Sequence, residues 1–124
     1  MALVLGLGCR QGCSADELAD LALAVLQETR CEVAELTALA TVEGRLGEGA
    51  MRTLAQRWRL PLLGFAADQL AQQEGILTPS TKALQHTGSP SIAEAAALAA
   101  AGEGARLLVG KRKSAAATAA LAYA

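Results

Sequence analysis

Gly6-Leu7-Gly8-Cys9-Arg10-Gln11-Gly12-Cys13-Ser14-Ala15-Asp16-Glu17 follows the apolar run Ala2 to Leu7. The order is that of a buried strand, a glycine-bearing turn and a helix start. A continuous apolar run fits a parallel strand covered on both faces. Ser14-x-x-Glu17 is a capping-box pattern, and Leu18, Leu21, Val25 and Leu26 carry helical spacing on to about Thr29. A glycine turn that meets a helix N-terminus gathers free amides at the positive end of the helix dipole, so it can hold an anion. Arg10 adds a fixed positive charge inside that turn.

Working outward, Leu36 to Val42 reads as a second strand and Glu43 to Gly47 as a loop. Glu48 to Arg59 reads as a helix with Met51, Leu54 and Ala55 inward, ended by Pro61. Leu62 to Phe65 is a short strand and Asp68 to Gln73 a brief helix. Gly75 to Gly88 lacks periodicity, as functional loops in small domains often do. Ser91-x-x-Glu94 is a second capping box, opening an Ala-rich helix that Gly102 and Gly104 close. Arg106 to Gly110 reads as a strand, Lys111 to Ser114 as a basic turn and Ala115 to Ala122 as a last strand. The expected fold is α/β: a three-layer α/β/α arrangement with a mixed, mainly parallel sheet and a C-terminal antiparallel hairpin, in one domain over residues 1–124. Ligands of such sheets bind beyond the carboxyl ends of the strands. The first turn, the Thr41 to Gly47 loop and the segment from His86 to Ser91 are placed on that rim.

The totals narrow the function. A net charge of −1 offers no global basic excess for nucleic acid, and no apolar stretch reaches the ~20 residues of a membrane span. Three cysteines without a signal-peptide pattern suit reduced thiols in a cytoplasmic setting. The glycine spacing is not the dinucleotide fingerprint, since Gln11 stands where the third glycine belongs. Cys9 and Cys13 are four apart, without the further ligands a metal needs, and read as packing residues. Cys13, just ahead of a helix, is the one whose thiol pKa a helix start would lower. Lys111-Arg112-Lys113, with Arg106 near in sequence, is the chain's one concentrated run of positive charge.

Four segments together resemble a known family: Gly6-Leu-Gly-Cys-Arg-Gln-Gly-Cys-Ser14, Leu39-Ala-Thr-Val42, His86-Thr-Gly-Ser-Pro-Ser-Ile-Ala-Glu-Ala-Ala-Ala-Leu98 and Leu107-Leu-Val-Gly-Lys-Arg-Lys-Ser114. They are similar to the CobE family of cobalamin biosynthesis, which is also the C-terminal domain of CbiG. Glu43-Gly44-Arg45 departs from the lysine or aspartate usual after the second strand, and the site is drawn without it. The resemblance implies a role in corrin-ring assembly. In CbiG the whole protein is associated with opening a lactone on a cobalt-precorrin intermediate and releasing acetaldehyde. A free-standing domain of this length looks more like CobE of the oxygen-dependent pathway, for which no defined reaction follows. The implied ligand is a precorrin-type tetrapyrrole polycarboxylate, with other corrin-pathway enzymes as alternative partners and no cofactor or metal. Carboxylate arms would meet a ligand-binding set of Gly8, Arg10, Gly12, Ser14, Thr87, Gly88, Lys111, Arg112, Lys113 and Ser114. His86, the single histidine, and Glu94 are the residues placed to carry any catalysis. Each has a plainer reading, His86 as a structural residue and Glu94 as the closing member of a capping box.

Overall fold

The computed structural model describes residues 2–74 and 91–124. Its elements run β1 (Leu3–Cys9), α1 (Ala15–Glu28), β2 (Ala38–Val42), α2 (Gly49–Trp58), β3 (Leu62–Phe65), α3 (Ala67–Ala71), α4 (Ile92–Ala101), β4 (Arg106–Lys113) and β5 (Ala117–Tyr123). The five strands form one sheet in the order β3-β2-β1-β5-β4. β1, β2 and β3 are parallel, while β5 runs antiparallel between β1 and β4. The expected α/β class, mainly parallel sheet and closing hairpin are all present. His86, Thr87 and Gly88, with the irregular segment expected from Gly75 to Gly88, lie outside the described residues.

Helices cover both faces, and β1 shows why. Leu3, Leu5 and Leu7 pack with Leu18, Val25 and Leu26 of α1 and Met51 and Leu54 of α2. Val4 faces the other way, toward Ala95 and Ala96 of α4 and Leu70 of α3. Alternation of strand side chains therefore divides one apolar run between two cores. α4 is buried from Ala93 to Leu98, Glu94 included, as a helix apolar on nearly every side must be.

The glycine-bearing stretch is shorter than expected. Gly6 and Gly8 are strand residues, and of the glycines from Gly6 to Gly12 only Gly12 has a positive φ, +82°. Gly6 serves packing: a Cβ there would lie 1.9 Å from the Ala93 carbonyl oxygen. The poly-alanine surface of α4 is thus pressed onto bare strand backbone.

The basic turn also moves. Lys111, Arg112 and Lys113 belong to β4, and the turn is Ser114 to Ala116, closed by the Ser114 N–H donating to Ala117 O at 2.9 Å. β4 is an edge strand, where exposed cations are well solvated and discourage edge-to-edge pairing, so a run of charge need not mean a turn. Its pairing with β5 shifts register between Leu107 and Val109 and again between Val109 and Arg112. β5 is rich in alanine, a weak strand former, yet holds because both faces are covered by helices that small side chains allow to approach. β2 starts at Ala38 rather than Leu36, since Thr37 is spent on the flank of β1. There its N–H donates to Leu3 O at 2.8 Å and its Oγ1 accepts from Leu3 N at 3.1 Å. Beyond Leu3 and Tyr123 the two chain ends continue to pair, Ala2 and Ala124 exchanging N–H···O bonds of 3.0 Å.

Candidate functional site

The carboxyl end of β1 delivers Gly8, Cys9 and Arg10 to the rim of the sheet. The hairpin of β4 and β5 returns to the same rim from the other end of the chain. Between them lies a cleft of about 310 Å³ lined by Gly8, Cys9, Arg10, Arg45, Ser91, Ile92, Lys111, Lys113 and Ser114 to Thr118. Gly8 and Thr118, both in this lining, are directly opposed in the β1–β5 register. A Cβ on Gly8 would stand 2.5 Å from Thr118 Oγ1, so the glycine makes room for that hydroxyl.

Four cations reach this cleft: Arg10, Arg45, Lys111 and Lys113. Among the described residues the ion pairs are Arg57 with Asp16 at 3.6 Å and Arg112 with Glu28 at 2.9 Å, and none of the four takes part. All 12 acidic residues fall within the described part, because residues 75–90 contain no Asp or Glu. None of them lines the cleft. Positive charge is therefore gathered in a lining that holds no carboxylate, an arrangement that favours an anionic ligand.

The expected site residues separate into groups. Gly8, Arg10, Lys111, Lys113 and Ser114 come together. Arg112 does not line the cleft: its guanidinium grips both Glu28 carboxylate oxygens, Nε at 3.0 Å and Nη2 at 2.9 Å. Gly12 N–H is taken by Glu48 Oε1 at 3.0 Å, so an internal carboxylate occupies the amide expected to meet a ligand. Ser14 is the N-cap of α1, its Oγ accepting from Glu17 N at 3.0 Å. Ser91 caps α4 in the same way, accepting from Glu94 N at 3.3 Å.

The first capping box does not close as its pattern suggests. The Glu17 carboxylate turns to the hairpin, where Oε2 accepts from the Ser114 hydroxyl in a short bond and from Ala116 N at 2.7 Å. Those two bonds, the hydroxyl first, hold the Glu17 carboxyl below its ordinary value of 4.5 against a smaller opposing effect of burial. Ser114 is thus already a donor to the protein. Glu94 is fully buried, and its Oε2 accepts from Lys111 N at 2.8 Å.

The thiols also differ from expectation. Cys13 is buried, and burial, then the Glu17 charge, raises its pKa rather than lowering it. Cys9 is pushed up to about 11 by burial first, then by Cys13 and Glu48, with Arg45 opposing. Arg45 is the cleft residue that sequence reasoning passed over. It stands in the short 3₁₀ turn Glu43–Arg45 after β2, and its signal was simply a cation in a βα loop of the binding rim.

Fold and cleft together define a class: an α/β protein with a cationic cleft, lined by no acidic residue, at the rim of a mixed sheet. Within that class, the family model described as Cobalamin synthesis G C-terminus matches residues 3–122, and the chain belongs to that family. Protein CobE of a Sinorhizobium species is 38% identical over 121 residues, covering 97% of this chain and 79% of that protein. The solved structure of CobE, a protein from the cobalamin (vitamin B12) biosynthetic pathway, is 43% identical with a TM-score of 0.89, covering 98% of this chain and 89% of that one. Cobalamin biosynthesis protein chiG from Agrobacterium tumefaciens str. C58 is 32% identical with a TM-score of 0.76, covering 98% of both chains. The protein belongs to cobalamin biosynthesis.

Proposed function

We propose that the cleft binds a precorrin-type tetrapyrrole through its acetate and propionate arms, to carry the intermediate between enzymes or to assist ring contraction and fragment release. The observation that supports this reading is the set Arg10, Arg45, Lys111 and Lys113 around one cleft that no acidic residue lines. Arginine offers paired N–H donors that fit a carboxylate, and lysine adds point charge. Ligand pockets run from about 300 to 1,000 Å³, so a cleft of about 310 Å³ is at the small end. It suits one edge of a macrocycle, with the remaining arms left in water. Such a half-exposed ligand is in a form a second protein can take over.

Titration with a tetrapyrrole polycarboxylate in low salt, followed by the ligand's visible absorbance, tests this. A saturable shift is expected, and the double charge reversal Lys111→Glu with Lys113→Glu weakens binding by at least about tenfold, the loss of one or more charge-assisted hydrogen bonds. Arg45→Ala is expected to act in the same direction. Unchanged affinity in the double variant overturns the reading. Absence of any shift until another pathway enzyme is added favours a docking module, whose cations would meet an acidic protein surface.

A further inference from the structure

Both serine-capped helices place a glutamate three residues beyond the cap, and both glutamates reach past their own helix to the same hairpin. From these contacts we infer that Glu17 and Glu94 are positioning residues of the cleft. They would set where Lys111 and Lys113 stand from opposite faces of the sheet, and this rests on the anion-binding reading above. Lys111 falls in the interval between Val109 and Arg112 where the β4–β5 register slips. Bulges of this kind re-aim side chains and leave a backbone group without a ladder partner. Glu94 Oε2 takes that group, the Lys111 N–H, and so fixes the irregular strand beneath a cleft-lining cation. Glu17 does the corresponding work three residues further on. It ties Ser114 and Ala116, at the two ends of the turn that follows Lys113.

Charge alone would select against this arrangement. A carboxylate behind an anion-binding cleft repels the anion, so the benefit of Glu17 has to be geometric, and geometry and charge predict opposite signs. Glu17→Gln, with its amide oxygen in the place of Oε2, keeps one acceptor for both the Ser114 hydroxyl and Ala116 N, while removing the negative charge. Glu17→Ala removes both charge and bonds.

The test measures two quantities on the full chain: amide hydrogen exchange at Ala116, and affinity for uroporphyrin as a polycarboxylate probe. Exchange at Ala116 is expected to quicken about tenfold in Glu17→Ala, the usual worth of a charge-assisted hydrogen bond, and to stay near wild type in Glu17→Gln. Affinity is expected to fall in Glu17→Ala and to hold or rise in Glu17→Gln. Equal gains of affinity in the two variants show a purely electrostatic neighbour and overturn the inference, as does unchanged Ala116 exchange in Glu17→Ala. If wild type fails to bind the probe, the anion-binding reading falls, while the exchange data still decide whether Glu17 holds the hairpin. Ser114→Ala supplies a second variant should Glu17→Ala fold poorly. It breaks the hydroxyl bond from the other side, and Ala116 exchange is expected to quicken there too.

Discussion

Cys9 shows at the scale of one residue how position governs chemistry. The residue lines the cleft, yet burial and the neighbouring Cys13 and Glu48 push its thiol up to about 11, so it is protonated at neutral pH and a poor nucleophile. In the unmodified chain, iodoacetamide should label Cys9 slowly at pH 8 and progressively faster as the pH approaches the thiol's raised value, the tryptic peptide ending at Arg10 reporting Cys9 apart from Cys13 and Cys31. Mass spectrometry of the alkylated peptide reads this, and labelling at the rate of free cysteine at pH 8 would contradict it. The sequence could place the thiol beside the first turn, but not settle its pKa, because Glu48 and Arg45 arrive from the second crossover. The same holds for Cys13, where a helix start suggested a lowered value and burial decides otherwise.

At the scale of elements, the helix caps and strand order were legible because they depend on local spacing: Ser14 and Ser91 both cap, and the hairpin pairs antiparallel as its position implies. The reach of Glu17 and Glu94 was not legible, since a capping-box pattern names the residue without naming its partner, and the partners lie 97 and 17 residues away in the bonds to Ser114 and Lys111. The seam between α4 and β1 leaves no room for a side chain at Gly6. Gly6→Ala drives a methyl into the Ala93 carbonyl and should destabilise the protein by on the order of 3 kcal/mol, the upper range for an overpacked core. Urea unfolding would show this as a lowered midpoint, and an unchanged midpoint would mean that α4 slides freely. The hairpin has its own pH dependence. The Glu17 carboxyl is lowered in the folded state, so its contribution is present above its ordinary value of 4.5 and lost as the pH falls through the lowered one. Protection of the Ala116 amide should therefore fade under acid before the central β1–β5 ladder opens, and loss of both together would refute it.

Across the whole molecule, the cleft was half visible in advance. Arg10 and the Lys111 to Lys113 run announced themselves as charge in a chain with little to spare, and the rule that ligands gather beyond the strand ends put Arg10 on the right rim. Arg112 and Arg45 exchanged roles because strand alternation and the register slip in β4 decide which side chains face the cleft, and both are tertiary facts. The paired ends at Ala2 and Ala124 carry a practical corollary. They sit at the pole of the sheet remote from Gly8, separated from it by six strand residues of β1 or roughly 20 Å. A surface tether or fluorophore attached at Ala2 or at Ala124 would leave the mouth of the cleft pointing into solution. One molecule could then be immobilised through either residue and offered the same ligand in the same orientation.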